Sequence, residues 1–145
     1  MRRVLGATCA LVLAVVALIV LEGARAGVTI EDRRVGDTPV TVYSNGTGGP
    51  AVVVAHGFAG SRQMMQGYAL VLAQAGYTVR AFDFEGHGAH PVPMGGDVNA
   101  IDGTTQRLVD QTRAVLDAGE GDGPGALLGH SMATDVLVRV AECDP

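Results

Sequence analysis

The chain has 145 residues, 48% of them apolar and 17% charged, a composition that suits one globular domain and excludes disordered and collagen-like classes. All ten cationic residues are arginine, and fifteen carboxylates leave a formal net charge of −5. A surface of that sign repels phosphate backbones, so no nucleic-acid partner is expected.

The first 26 residues differ from the rest. Arg2 and Arg3 precede an apolar run from Val4 to Leu21, interrupted only by the mildly polar Thr8, and "EGARAG" follows. This is an export segment with two readings. It is a signal peptide cut after Ala24-Arg25-Ala26, a small-x-small site, or an uncleaved anchor, because the run nearly crosses a hydrocarbon core of about 30 Å. In both, Arg2 and Arg3 hold the N-terminus in the cytoplasm and everything after Gly27 lies outside, either membrane-anchored or released. A buried core helix would show a polar face, which the run lacks. Residues 27–145 then carry seven arginines against fourteen carboxylates. Cys9 lies inside the apolar run and Cys143 close to the end, so neither a disulfide framework nor a zinc spacing is present.

Residues 28–35 and 38–44 carry β-branched residues at strand spacing on either side of a Gly-Asp turn, which predicts an antiparallel hairpin. "AVVVA" (51–55) is apolar on both faces and predicts a buried parallel strand. Ser61 is placed to cap a helix in which Met65, Tyr68, Leu72 and Ala75 recur at helical spacing and Gly76 is the stop. A strand over 77–84 follows, then a helix over 104–118 with Leu108, Val109, Thr112, Val115 and Leu116 on one face. "GEGDGP" (119–124) is a solvated turn containing Glu120 and Asp122, "GALLG" (125–129) a short buried strand, and residues 132–142 a helix. This alternation implies an α/β fold: a mostly parallel sheet entered through an antiparallel hairpin.

Three features fall at the carboxyl ends of the parallel strands, where open α/β sheets place their sites. Ser131 sits in "GHSMAT" (129–134), on a strand-to-helix turn. A serine hydroxyl attacks only when held exposed beside a base, and a tight turn exposes it while aiming the next helix N-terminus at the reacting group. The same serine read alone is a good N-cap. "HGF" (56–58) follows the first parallel strand, with Gly57 allowing close backbone approach, and "DFEGHG" (83–88) ends the second.

In that order the three stretches resemble the α/β-hydrolase fold superfamily, in particular its esterase, monoglyceride-lipase and serine-aminopeptidase-like members. "DFEGHG" is similar to the family's Asp-x-x-Gly-x-Gly, and "GHSMA" to Gly-x-Ser-x-Gly, over about residues 28 to 143. The resemblance implies Ser131 as nucleophile, the backbone N–H groups of Phe58 and Met132 as oxyanion donors, and His56, Gly57 and Asp83 as residues that order the loops around them. It implies no cofactor and no metal. Ala133 replaces the second elbow glycine, Glu85 stands where many relatives carry arginine, and Ala89-His90 where a serine often follows.

The family's triad runs Ser, then Asp or Glu, then His. After Ser131 come Asp135, Glu142 and Asp144 but no histidine, and Asp135 lies on a helix leading away from the site. His56, by its backbone rather than its ring, and His130 are read as structural. His87 and His90 lack a helix to set a metal spacing, and Met64 and Met65 are read as packing residues, with the lining of an acyl pocket at the helix start as the alternative. The expectation is the N-terminal part of a longer hydrolase, truncated after the nucleophile helix, that cleaves small-molecule carboxylic esters and is inactive as this fragment. Two alternatives stay open: an amidase, peptidase or acyltransferase on the same fold, and a catalytically inactive membrane-tethered binding protein.

Overall fold

The computed structural model describes residues 2–95, 101–119 and 125–142. Arg2–Arg25 forms α1, and the hairpin follows as β1 (Thr29–Val35) and β2 (Thr38–Ser44), paired from Val35 with Thr38 out to Thr29 with Ser44. Gly36, in the two-residue turn, has φ +56°, the left-handed backbone such hairpin turns require. Then come β3 (Ala51–Ala55), α2 (Gln66–Gln74), β4 (Thr78–Phe82), α3 (Ile101–Asp117), β5 (Ala126–Gly129) and α4 (Met132–Glu142).

The five strands form one mixed sheet in the order β1-β2-β4-β3-β5. β4, β3 and β5 are parallel, and β2 joins this group antiparallel to β4. The parallel part therefore carries all three motifs, and the hairpin docks on β4 rather than on β3, its successor in sequence. β3 lies between β4 and β5, covered on both faces, and its side chains are apolar in both directions. Val53 and Ala55 face a core with Phe82, Val109, Val115 and Val136, while Val52 and Val54 face another with Met65, Ala69, Leu70 and Val79. Hence α2 covers one face, and α3 and α4 cover the other.

α3 buries Leu108, Val109, Thr112 and Val115 as its periodicity predicts, with Leu116 half-buried. Thr112 satisfies its buried hydroxyl by donating to the Leu108 carbonyl at 2.7 Å. α2 departs from expectation. A single 3₁₀ turn, Arg62–Met65, precedes it, Ser61 makes no side-chain cap, and the buried stripe is Met65, Ala69, Leu70 and Ala73. Tyr68 and Met64 are exposed, so only Met65 of the two methionines packs. The extra 3₁₀ turn rotates the helix, and small alanines rather than Tyr68 let it lie close to β3 and β4. Gly76, φ +101°, ends the helix as predicted. β4 stops at Phe82 rather than running to 84, because Asp83 turns into the loop network below. Cys143, Glu120 and Asp122 lie outside the described residues.

Within α1, Gly6–Arg25 is long and apolar enough to cross a membrane, with mean hydropathy 2.4 and none of it buried; a cleaved leader passes the same test. Its C-terminal end meets the domain where Gln74 donates to the Ala24 carbonyl at 2.9 Å.

Phe82 is fully buried at the carboxyl end of β4, edge-on to Phe84 with ring centroids 4.8 Å apart. Phe82→Ala is expected to lower unfolding free energy by about 3–5 kcal/mol. Urea titration of the full-length protein checks this, and a loss under about 1 kcal/mol would remove Phe82 from the core account.

Candidate active site

β3, β4 and β5 end side by side, so the loops after them meet. The loop after β3 is organised by a side chain. The His56 ring is 1% exposed, and both of its nitrogens are bonded: Nε2 accepts the Phe84 N–H at 3.1 Å, and Nδ1 lies 2.8 Å from the Gly57 carbonyl. Because Nε2 accepts, the proton sits on Nδ1 and is donated to Gly57, which makes the ring neutral. Burial pushes its pKa below the ordinary imidazole value, the bond to Gly57 opposing this in part. The expectation that only the backbone of His56 matters is thus corrected, since its ring ties the β3 loop to the β4 loop.

Asp83, fully buried, is the second tie. Its Oδ1 accepts the Arg62 N–H at 2.6 Å, and its Oδ2 accepts the Ala89 N–H at 2.9 Å and also binds Arg62 Nη1. Gly88, φ +55°, is required here, for a Cβ would fall 2.4 Å from the Asp83 carboxylate. Arg62 Nε reaches Thr41 Oγ1 at 2.9 Å, and Thr41 donates to Asp32 at 2.6 Å, extending the network into the hairpin.

Sequence reasoning missed Arg62. A signal was present, since Arg62 is the lone cation between Arg34 and Arg80 and a carboxylate ending a buried strand needs a counter-charge. Gln111 of α3 was also missed: its amide donates to Thr38 Oγ1 and the Asp83 carbonyl, and its oxygen accepts the Glu85 N–H. Glu85 pairs with Arg107 at 3.3 Å.

Ser131 stands between β5 and α4, exposed, with φ +54°. That is the left-handed region, costly for a residue with a Cβ by about 1–3 kcal/mol. A capping serine has extended backbone, so this is not capping geometry. The His130 N–H bonds the Ala55 carbonyl at 3.1 Å, holding the turn against β3. Gly57 presses on it: a Cβ there would lie 2.9 Å from His130 Nδ1 and 3.0 Å from Ser131 Cβ. Gly129 makes room for the buried methyl of Ala133, which a Cβ at 129 would meet at 3.3 Å. Ala133 is thereby accommodated on the α4 side.

The geometry brings Gly57 against Ser131, with Phe58 and Met132 as their chain neighbours. Among the described residues, no hydrogen bond engages the N–H of Phe58 or Met132, or the Ser131 hydroxyl. His87, 8% exposed, packs against His56 and against the outward-facing Phe58 ring at 5.6 Å. His87 and His90 are bonded within their own loop, to the Glu85 carbonyl and to Val92. Asp135 pairs with Arg139 at 3.0 Å on α4. No described histidine is hydrogen-bonded to Ser131, and no three His, Cys, Asp or Glu side chains converge among the described residues. A cavity of about 470 Å³ lies elsewhere, between the hairpin, Arg80 and Ala118.

This arrangement defines an α/β-hydrolase fold. The family model described as serine aminopeptidase, S33, matches residues 49–143, and the chain belongs to that family. Among solved structures, a protein of Acinetobacter baumannii AYE described as a lipase is similar at 26% identity and TM-score 0.64, over 88% of this chain and 42% of its own. The thioesterase domain from the curacin biosynthetic pathway matches at 24% identity and TM-score 0.63, over 81% and 42%. An epoxide hydrolase from an endophytic Streptomyces matches at 23% and 0.60, over 81% and 34%. The chain thus spans about two-fifths or less of these structures. No match was found among curated proteins.

The neutral His56 sets a pH dependence. The unfolded ring protonates near pH 6.5 and the folded ring below it, so the unfolded chain binds more protons in between. Stability from this site is complete above the unfolded value and declines as pH falls through the folded one. Urea midpoints of the full-length protein between roughly pH 8 and 5 should decline in the wild type and decline less in His56→Asn. Equal slopes would count against the buried neutral ring.

Proposed function

We propose that the protein is an extracytoplasmic serine hydrolase acting on carboxylic esters of modest size. The observation that carries this reading is Ser131 in left-handed backbone at the β5–α4 turn, with Gly57 packed against it. Strain of this kind persists where a side chain must be presented, and in this reading it presents the Ser131 hydroxyl to a substrate carbonyl whose oxygen the Phe58 and Met132 N–H groups would receive. The similar structures bear names of different chemistries, so the choice of a serine nucleophile rests on this chain's own residue 131.

In this reading Ser131 Oγ attacks the ester carbonyl while its proton passes to a histidine base. The carbonyl π electrons move onto oxygen, and the Phe58 and Met132 N–H groups stabilise that oxyanion; losing one such donor costs about 3–4 kcal/mol of barrier. Collapse expels the alcohol, which takes the proton from the histidine, and leaves an acyl-serine that water hydrolyses by the same steps. Acid and histidine follow the serine in the family's chain order, so both are assigned to residues after α4. His56 and Asp83 serve the loops and not the proton transfer.

α1 is assigned as an uncleaved anchor with its N-terminus in the cytoplasm. Supporting this, its helix runs through Ala24 and Arg25, and Ala24 is held by Gln74. A second reading, hydrolysis of peptide or amide bonds, is favoured by the aminopeptidase description of the matching family.

Ser131→Ala in the full-length protein should abolish both fluorophosphonate labelling and hydrolysis of a p-nitrophenyl ester panel, a loss of about 10⁴-fold or more in kcat. Retained ester turnover would sink the assignment. Parallel assays with aminoacyl anilides separate the two readings, the ester reading requiring the larger kcat/KM on esters.

A further inference from the structure

The loop that follows β3 is pinned at each end to one of two adjacent residues after β4. His56 accepts the Phe84 N–H at its start, and Arg62 grips Asp83 at its end with a backbone N–H and a guanidinium. Between the pins lie Phe58, whose N–H is the assigned oxyanion donor, and two conformationally demanding residues. Ala59 has φ +55°, and a Cβ at Gly60 would lie 2.8 Å from the Gly57 carbonyl. A backbone of that shape holds only while its surroundings over-determine it. The first pin is a neutral hydrogen bond. The second is a buried ion pair, with the Arg62 side chain 11% and that of Asp83 0% exposed, and Thr41 Oγ1 fixes the guanidinium from the β2 side.

We infer that Arg62 is a positioning residue for catalysis: its ion pair with Asp83 sets where the Phe58 N–H points relative to Ser131. The inference rests on the serine-hydrolase reading and adds a group that touches neither substrate nor nucleophile. Without the guanidinium, Asp83 keeps two backbone donors but loses its counter-charge, and the strained segment from Phe58 to Ser61 relaxes from its outer end. An oxyanion donor acts on the transition state and hardly on bound substrate, so kcat falls rather than KM rising.

The test uses the full-length protein, with kinetics normalised to active sites titrated by a fluorophosphonate. Arg62→Met is expected to lower kcat per titrated site by roughly 10- to 100-fold with KM within about twofold. Affinity for a trifluoromethyl ketone, which binds as an oxyanion, should fall in parallel, and Arg62→Lys should recover part of both. Fewer titrated sites that each turn over at the wild-type rate would reduce Arg62 to a purely structural role and overturn the proposal. So would a rise in KM at constant kcat. Should Arg62→Met fail to fold, Thr41→Val loosens the guanidinium while leaving the ion pair in place, and the same kcat-specific loss, smaller in size, is required of it. A wild-type protein that neither turns over esters nor is labelled at Ser131 overturns the underlying reading, and the proposal with it.

Discussion

Three parallel strands that end together create a problem of polar satisfaction, and its solution shapes everything above the sheet. The loops after β3, β4 and β5 leave their ladders at the same level, crowding amide and carbonyl groups where water has little access. Each such group left unpaired costs on the order of 1–3 kcal/mol. Two buried side chains take up part of the demand, beside the loops' own backbone bonds. The His56 ring takes one donor and gives one, and the Asp83 carboxylate takes two backbone donors and a guanidinium. Both are polar groups that a core tolerates only when fully bonded, and both are.

These ties leave some groups unengaged on the β5 side. Ser131 Oγ and the N–H groups of Phe58 and Met132 stay without partners among the described residues while their neighbours are bonded. Under the serine-hydrolase reading proposed above, these are the groups that would engage a reacting molecule. The gentler features serve the same end. Gly57 and Gly88 lack a Cβ because another chain segment occupies that space, and Gly129 does so to admit Ala133 and Leu137.

The elements with strong periodicity were legible in the sequence. β3 and α4 fall where the pattern puts them, because it reports two apolar faces in the one and a single buried face in the other, while the hairpin was marked by β-branched residues on either side of its Gly-Asp turn. α2 was legible as a helix but not in its rotation. Its apolar residues lie all round, so periodicity could not choose between Tyr68 and the alanines that pack on the sheet. The order of strands was also hidden, since nothing local to the hairpin says it pairs with β4 rather than β3. At the site, glycines and serine announced themselves by residue type. The ring of His56 and the guanidinium of Arg62 did not, because their roles depend on partners more than twenty residues away in sequence.

Ser131 also bears on how this chain can change over time. In left-handed backbone the residue best suited to folding is glycine, which adopts φ +54° without the Cβ clash that serine bears. Under the serine-hydrolase reading, folding and chemistry therefore pull residue 131 in opposite directions. Drift toward glycine would relieve strain and raise stability, while deleting the hydroxyl and leaving the surrounding loops intact. A lineage released from selection for turnover would gain by that single step a sturdier, silent copy of the same fold. Serine at this position is a cost to folding that, under the proposed reading, its hydroxyl chemistry offsets.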